Sequence, residues 1–592
     1  MKAISKAIDS HVRFDTLPFP MSQLEASARF RSAYLNYAEL TAQLQAWASA
    51  HPSVCRLSSI GTTPEGRSQW LLTIGPEPDR IRPAVWVDGN LHAVELAGSS
   101  VALSIAEDML RLHLEGQLHD LPASVLARLR EVLFYVVPRI SPDGSEHVLD
   151  TGRFVRSVPR DQRPDKNRPR WVSRDVDGDG LSLSMRVLDA GGDFVESRDF
   201  PGVMLERRID DDGPFYKIYP EGVIEHFDGH HVPAPKFLDD NPIDLNRNFP
   251  WSWAPAHEQM GAGPFATSEP ESRNVVQFAT AHPEIFAWLN LHTYGGVAIR
   301  PLGHAPDSKM APSDLALFRQ IEAWILEYTG YPTVSGFEEF LYEPDKPLHG
   351  DLSDYAYHQR GAIAYVIELW DLFVRLGLPR PKRFVEYYQK LGPKELVALA
   401  RWDRDENEGR IFREWRKVHH PQLGDVEVGG LDPRIGIWNP SLRELSKVCT
   451  QQSQAFLRVA ALAPSLGIDV LAVAPLGEGL CRVEVSLTNL GYLPTMILAS
   501  AEPLDINEPL SIDAELEGLE LIDPAQKHVV VGHLSGWGRG LHAGAAHAPR
   551  SSGTGHRAHV SYVLRGRGQL RLRAGSCRVG WTQKVIDLPS GS

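Results

Sequence analysis

The sequence predicts an α/β protein built on a mixed, largely parallel sheet flanked by helices, followed by an all-β sandwich. Three observations carry this reading. The runs VLFYVVP (132–138), IFAWLNL (285–291) and AIAYVIEL (362–369) are almost continuously apolar, as strands buried on both faces must be. Helical patterns alternate with them. In residues 96–114, Val101, Ile105, Met109 and Leu112 recur at steps of three and four, and PSDLALFRQIEAWILEY (312–328) repeats the pattern. After Pro464 the apolar period drops to two, with Val483, Val485 and Leu487 in one segment and Leu570 and Leu572 in another, separated by Gly/Pro turns.

In chain order, residues 34–50 form a helix with Leu40, Leu44 and Trp47 on one face. Strands follow at SQWLLTIG (68–75) and PAVWVDG (83–89), each broken by Pro or Gly. Residues 160–240 are rich in Asp, Gly, Pro and Arg and read as an insertion or a set of surface loops. Residues 440–463 form an amphipathic helix, and GRGLHAGAAHAPRSSGTGH (538–556) reads as a mobile loop. The expected organisation is a catalytic unit over 1–430, a connecting helix over 431–465 and the sandwich over 466–592.

At 592 residues the chain exceeds one compact core. Its 43 % hydrophobic and 23 % charged residues are ordinary for a globular protein. A net charge of −14 repels phosphate backbones, so no nucleic-acid partner is expected. No stretch reaches the roughly 18 apolar residues that span a bilayer, so no membrane partner is expected either. MKAISKAIDSHVRFDTLPFP lacks the apolar block of a secretory signal, which makes the expected location cytoplasmic. Four cysteines without close spacing (Cys55, Cys449, Cys481, Cys577) indicate neither a disulfide framework nor a thiolate zinc site. Any zinc must therefore be held by imidazole and carboxylate.

In WVDGNLHAVELAG (86–98) a strand ends just before His92, and Glu95 opens the next helix. A ligand at a strand end and another in the first helical turn can converge on one point, and α/β sites lie at the carboxyl ends of strands. HxxE alone is common, and a helix-start His beside a solvated Glu is the blander reading. Its company adds weight. A second apolar strand ends at His292 in NLHTYGG (290–296), and AIAYVIELWD (362–371) buries Glu368 in an otherwise apolar run. Catalytic zinc takes three protein ligands and leaves the fourth position open. A carboxylate beside it can serve as general base and then general acid; the blander reading of Glu368 is a core residue paired with an arginine.

Several motifs in order, over roughly residues 34–425, resemble the zinc carboxypeptidases typified by carboxypeptidase A. The family's HxxE is matched by His92-Ala93-Val94-Glu95, and its NPDG turn by Ser141-Pro142-Asp143-Gly144. Its Asn-Arg pair is matched by Asn246-Arg247 in IDLNRNFPW (243–251), its second histidine ligand by His292 and its catalytic glutamate by Glu368. The resemblance implies one zinc per chain and cleavage at peptide or protein C-termini. Arg156 would then polarise the substrate carbonyl, Asn246 and Arg247 would grip the terminal carboxylate, and Asp244 would orient His92. Tyr342 is the candidate for the family's flexible tyrosine. Arg156 lacks the family's preceding Trp and following Lys, and Tyr342 precedes the Gly350–Asp354 turn by a longer spacing than in the simplest members. Ser353 lies near the position that helps set side-chain preference and suggests neither basic nor aromatic selectivity.

DVDGDGL (175–181) resembles a calcium loop through Asp175, Asp177 and Asp179, but its twelfth position is Arg186 where an EF-hand needs Glu. His230-His231 and His419-His420 read as surface pairs. Two rival functions stand beside the carboxypeptidase. One is a zinc amidase acting on a γ-glutamyl or cell-wall link, and the other a non-catalytic peptide-binding protein.

Overall fold

The computed structural model describes residues 29–118, 120–163, 167–343, 346–380, 385–386, 391–541 and 550–588. The amino-terminal segment read for a secretory signal, and residues 542–549 of the expected mobile loop, lie outside them. Among the described residues, no helix is long and apolar enough to cross a membrane.

The principal sheet has eight strands: β1 (Cys55–Thr62), β2 (Ser68–Ile74), β3 (Ala84–Gly89), β4 (Leu133–Val137), β5 (Ile285–Thr293), β6 (Val297–Arg300), β7 (Thr333–Ser335) and β8 (Ile363–Leu369). They lie in the order β1-β2-β4-β3-β5-β8-β6-β7. The central four, β4-β3-β5-β8, are mutually parallel, and antiparallel pairs flank them. Every residue of these four strands is buried, which is why their sequences show no alternation.

Alternate residues nevertheless serve different cores. Val85, Val87, Ala287 and Leu289 join the core shared with the helices Ala97–Glu115 and Leu442–Ala460. Trp86, Trp288 and Ala364 join the opposite core, with Val275 and Ala279 of the helix Pro270–Ala281 and Tyr355 of the helix Leu352–Arg360. The helix Ala97–Glu115 lies between the sheet and the helix Leu442–Ala460, so it is buried nearly all round rather than on one face. Burial of side chains such as Ile105 and Met109 stabilises this layer by about 1.5–3 kcal/mol each. A Cβ at Gly89 would lie 2.4 Å from the Gly98 carbonyl carbon, so close passage of β3 under this helix requires glycine there.

Residues 160–240 are not a set of loops. They contain six short strands between Arg170 and Glu225. Four of these join the strands Phe412–His420 and Gly424–Leu431 in a separate six-stranded antiparallel sheet. Within it, His420 is fully buried rather than on the surface. Its Nε2 donates to the Gly222 carbonyl at 2.8 Å, and its Nδ1 accepts from the Gln422 and Leu423 amides. His419, His230 and His231 are exposed.

The C-terminal part is all-β and antiparallel. The strands Leu466–Gly477, Leu480–Asn489, Leu510–Leu521, His528–Gly532, Arg557–Ser576 and Gly580–Leu588 make one sheet around its own core of Val483, Val485, Leu487, Leu570 and Leu572. It is anchored by Arg578, which is almost fully buried in the turn between the last two strands. The guanidinium donates to the Pro283, Arg360 and Gly361 carbonyls at 3.2, 3.0 and 2.5 Å.

Candidate metal centre

β3, β5 and β8 are adjacent and parallel, so their carboxyl ends open on one side of the sheet. Each contributes to the same point. His92 and Glu95 lie in the segment after β3, just before the helix begins at Ala97. Glu95 therefore precedes that helix rather than opening it. The Ala97 amide is instead capped by Asn439 Oδ1 at 2.8 Å, and Asn439 also donates to the Val94 carbonyl at 2.8 Å. His292 is the penultimate residue of β5, and Glu368 stands directly opposite it in register on β8.

His92, Glu95 and His292 are buried and converge. His92 Nδ1 is 2.9 Å from Glu95 Oε1 and 3.0 Å from His292 Nδ1, and His292 Nδ1 is 3.0 Å from Glu95 Oε2. Zinc bonds of about 2.0–2.1 Å in tetrahedral geometry place ligand atoms about 3.3 Å apart, so a small outward relaxation admits the ion. A second observation fits a cation. Glu95 Oε2 is shut off from solvent and has no well-formed hydrogen bond among the described residues, despite its approach to His292. Burial pushes the Glu95 carboxyl upward in pKa, but the two imidazoles outweigh it and hold the group below the usual carboxylate range.

The other ring nitrogens are held from behind. His92 Nε2 faces Asp244 Oδ1 at 3.0 Å, so Nδ1 is left for the metal. Asp244 Oδ2 accepts from Arg156 Nε and Nη2 at 3.0 and 2.9 Å, and Oδ1 accepts from the Asn246 amide at 2.8 Å. Although burial alone would raise its pKa, Arg156 and His92 keep Asp244 well below its ordinary value. His292 Nε2 meets Asn290 Oδ1 at 2.6 Å. The Asn290 amide donates to Asp88 Oδ1, and Trp86 and Trp288 donate to Asp88 Oδ2 at 2.6 and 3.0 Å. Burial raises Asp88 to about 7 against those three donors.

Arg156, Asn246, Arg247, Tyr342 and Glu368 all line the cavity that opens on the two histidines. Arg156 is fixed by its own backbone. Its carbonyl accepts from the Ala93 amide at 2.8 Å, and its amide donates to Asn241 Oδ1 at 3.0 Å. Besides its pair with Asp244, its guanidinium stands 3.7 Å from Glu95. Asn246 Oδ1 accepts from the Leu352 amide at 2.9 Å, and Arg247 Nη1 donates to the Asn246 carbonyl at 2.6 Å. Gly350 packs on this turn at φ +68, where a Cβ would meet the Arg247 carbonyl oxygen at 2.4 Å. Tyr342 is 38 % exposed, as expected of a residue at a cavity mouth. Ser353 lines the cavity too.

Three residues around this centre escaped sequence reasoning: Asp88, Asn290 and Asp351. Asp88 carries the signal that marked Glu368, a carboxylate in an apolar strand, and would have been found by it. Asp351 lines the cavity, and burial together with Asp354 raises its carboxyl to about 6.

The acidic loop gives the calcium expectation no support. Asp175 and Asp177 approach Glu221, and Asp179 is outside that group. The loop's own amides already use these oxygens: Gly178 and Gly180 donate to Asp175, Asp179 to Asp177, and Leu181 to Asp179. Glu221 accepts from the Val176 and Leu183 amides, and Arg416 stands 3.9 and 3.7 Å from Asp177 and Asp179.

Residues 465–587 match a family model described as a domain of unknown function (DUF8731). The zinc carboxypeptidase of Saccharothrix mutabilis subsp. capreolus is 30% identical over 135 residues, covering 22% of this chain and 30% of that protein. Carboxypeptidase B of Astacus astacus is 28% identical over 127 residues, covering 22% and 39%. The chain thus spans about a third of the length of these curated relatives, 30% and 39%. Carboxypeptidase A from Helicoverpa armigera, a solved structure, superposes with a TM-score of 0.38 at 19% identity, covering 57% of this chain and 65% of that one. The family model described as zinc carboxypeptidase matches residues 40–179 and 238–389, leaving out most of the inserted sheet. Those two segments are a zinc carboxypeptidase domain, and through it the chain belongs to the zinc carboxypeptidase family.

Proposed function

We propose that the chain is a zinc-dependent metallocarboxypeptidase that hydrolyses the last peptide bond of a peptide or protein. The observation that carries this reading is the register of β5 and β8, which sets Glu368 beside His292 on neighbouring parallel strands. A general base thereby stands next to a His-Glu-His ligand set at the mouth of one cavity.

Zinc held by His92, Glu95 and His292 supplies a Lewis acid for the scissile carbonyl and lowers the pKa of a water toward about 7. Glu368 accepts a proton at a carboxylate oxygen from the attacking water and delivers it to the leaving nitrogen as the C–N bond breaks. Arg247, with its planar fork, pairs with the substrate's free carboxylate, and Asn246 adds an amide donor. Both line the same cavity as Glu368, and capture of a free carboxylate there is what makes the enzyme an exopeptidase. Arg156 stabilises charge developing on the carbonyl oxygen, at a position fixed by Asp244. Tyr342 closes over the bound residue.

Digestion of a peptide library, read by mass spectrometry with and without a chelator, tests this. Single residues should leave from carboxyl termini, and chelator should stop the reaction. Internal cleavage, or equal turnover of C-terminally amidated peptides, would refute it.

A further inference from the structure

We propose that His304, Asp354 and His358 form a second divalent-metal site of zinc type, which clamps the segment after β6 to the helix Leu352–Arg360. One ligand atom from each of the three side chains lies within 4.8 Å of the other two. An ion with bonds of about 2.0–2.2 Å needs donors nearer 3.3 Å apart, a contraction that side-chain torsions can supply. Asp354 and His358 are four residues apart on one helix, so they share a face and present their donors together. Two imidazoles and a carboxylate are the donor set of zinc rather than of calcium or magnesium.

The site is already built around its carboxylate. Both oxygens of Asp354, which is 1 % exposed, accept from the Gly303 amide at 3.0 and 3.1 Å, and Oδ2 is 2.9 Å from His304 Nδ1. An ion pair between His304 and Asp354 would account for those two residues without a metal. It does not account for His358. The Nε2 of that ring is shut off from solvent with no hydrogen-bond partner among the described residues, while its ring centroid is 5.0 Å from that of His304. Trp251 stacks on it at 4.2 Å and 14°, and meets His304 edge-on at 6.2 Å and 68°. A buried imidazole nitrogen left unpaired is costly, and a coordinate bond removes that cost. Gly303 and Ser353, neighbours of the proposed ligands, line the substrate cavity. The second ion would thus stiffen one wall of that cavity.

This inference is independent of the catalytic reading. Zinc per chain, measured by mass spectrometry of the metal after dialysis against zinc-free buffer, should be two in the native protein. It should be one in the His92→Ala/His292→Ala variant and one in His304→Gln/His358→Gln. A single zinc that vanishes with His92 and His292 alone would overturn the second site and leave the first standing. A single zinc lost with His304 and His358 alone would support it. Should the double glutamine variant fail to fold, cobalt(II) titration of His292→Ala decides. One saturable equivalent with visible absorption, lost in His292→Ala/His304→Gln, is expected, and no saturable absorption would overturn the proposal.

Discussion

Replacing Asp244 by Asn isolates what the tertiary structure adds to the metal centre. The carboxylate uses one oxygen on His92 Nε2 at 3.0 Å and the other on Arg156, through two contacts at 3.0 and 2.9 Å. An amide cannot accept on both sides. If its oxygen stays on His92, its NH2 faces the guanidinium. If it turns round, the imidazole loses its acceptor and the tautomer that leaves Nδ1 free for the metal. Either orientation loses at least one charge-assisted hydrogen bond, worth about 1.5–3 kcal/mol. Arg156, relieved of its partner, is also 3.7 Å from Glu95 and competes with the metal for that carboxylate. At about 1.4 kcal/mol per tenfold, the zinc dissociation constant should rise about 10–100-fold. Competition with a chromophoric chelator of known affinity measures it directly, and circular dichroism confirms that the fold survives. A dissociation constant within twofold of the native value, in a folded variant, would refute the argument that Asp244 acts through His92.

Glu368→Gln should lower kcat by about 10²–10⁴ while the zinc content stays unchanged, measured by steady-state kinetics beside metal analysis. Arg247→Lys should raise KM for peptides with a free carboxyl terminus about 10-fold or more, because a point charge does not reproduce bidentate capture; a native KM would remove Arg247 from substrate binding. The third prediction concerns pH. Burial, helped by Arg82 and Arg130, pushes His113 down to about 4, so the unfolded chain takes up a proton near pH 6.5 that the folded chain refuses until about 4. Stability should therefore fall as pH drops through that window, and His113→Gln should flatten the fall in urea titrations at pH 7, 5.5 and 4.5. In Arg578→Met, three carbonyls on the catalytic side lose their donor, and thermal unfolding should shift down or split into two transitions.

How much of this was legible beforehand depended on whether the signal was local. Periodicity is local, so the strands later found as Leu133–Val137 and Ile363–Leu369, and the helix Pro312–Thr329, were readable within a residue or two. A buried carboxylate in an apolar run is local too, which is why Glu368 stood out. The inserted sheet was missed because strands near residue 185 gain their partners from residues near 427, and short irregular strands rich in Asp and Gly imitate loops until they are paired. His420 reads as a surface residue for the same reason, since its buried partner, the Gly222 carbonyl, is 198 residues away.

The sequence by itself determined the fold class and the positions of the long buried strands, and it put forward His92, Glu95 and His292 as the ligand set, because composition, spacing and apolar period are properties of neighbouring residues. The resemblance already implied Asp244 behind His92, but only the tertiary structure decided which groups stand behind His292. Asn290 and Asp88 behind that ring, and His304 beside Asp354 and His358, come from strand register and loop packing. Register across a sheet buried on both faces leaves little trace in any one strand, since its run is almost continuously apolar whichever neighbour it meets.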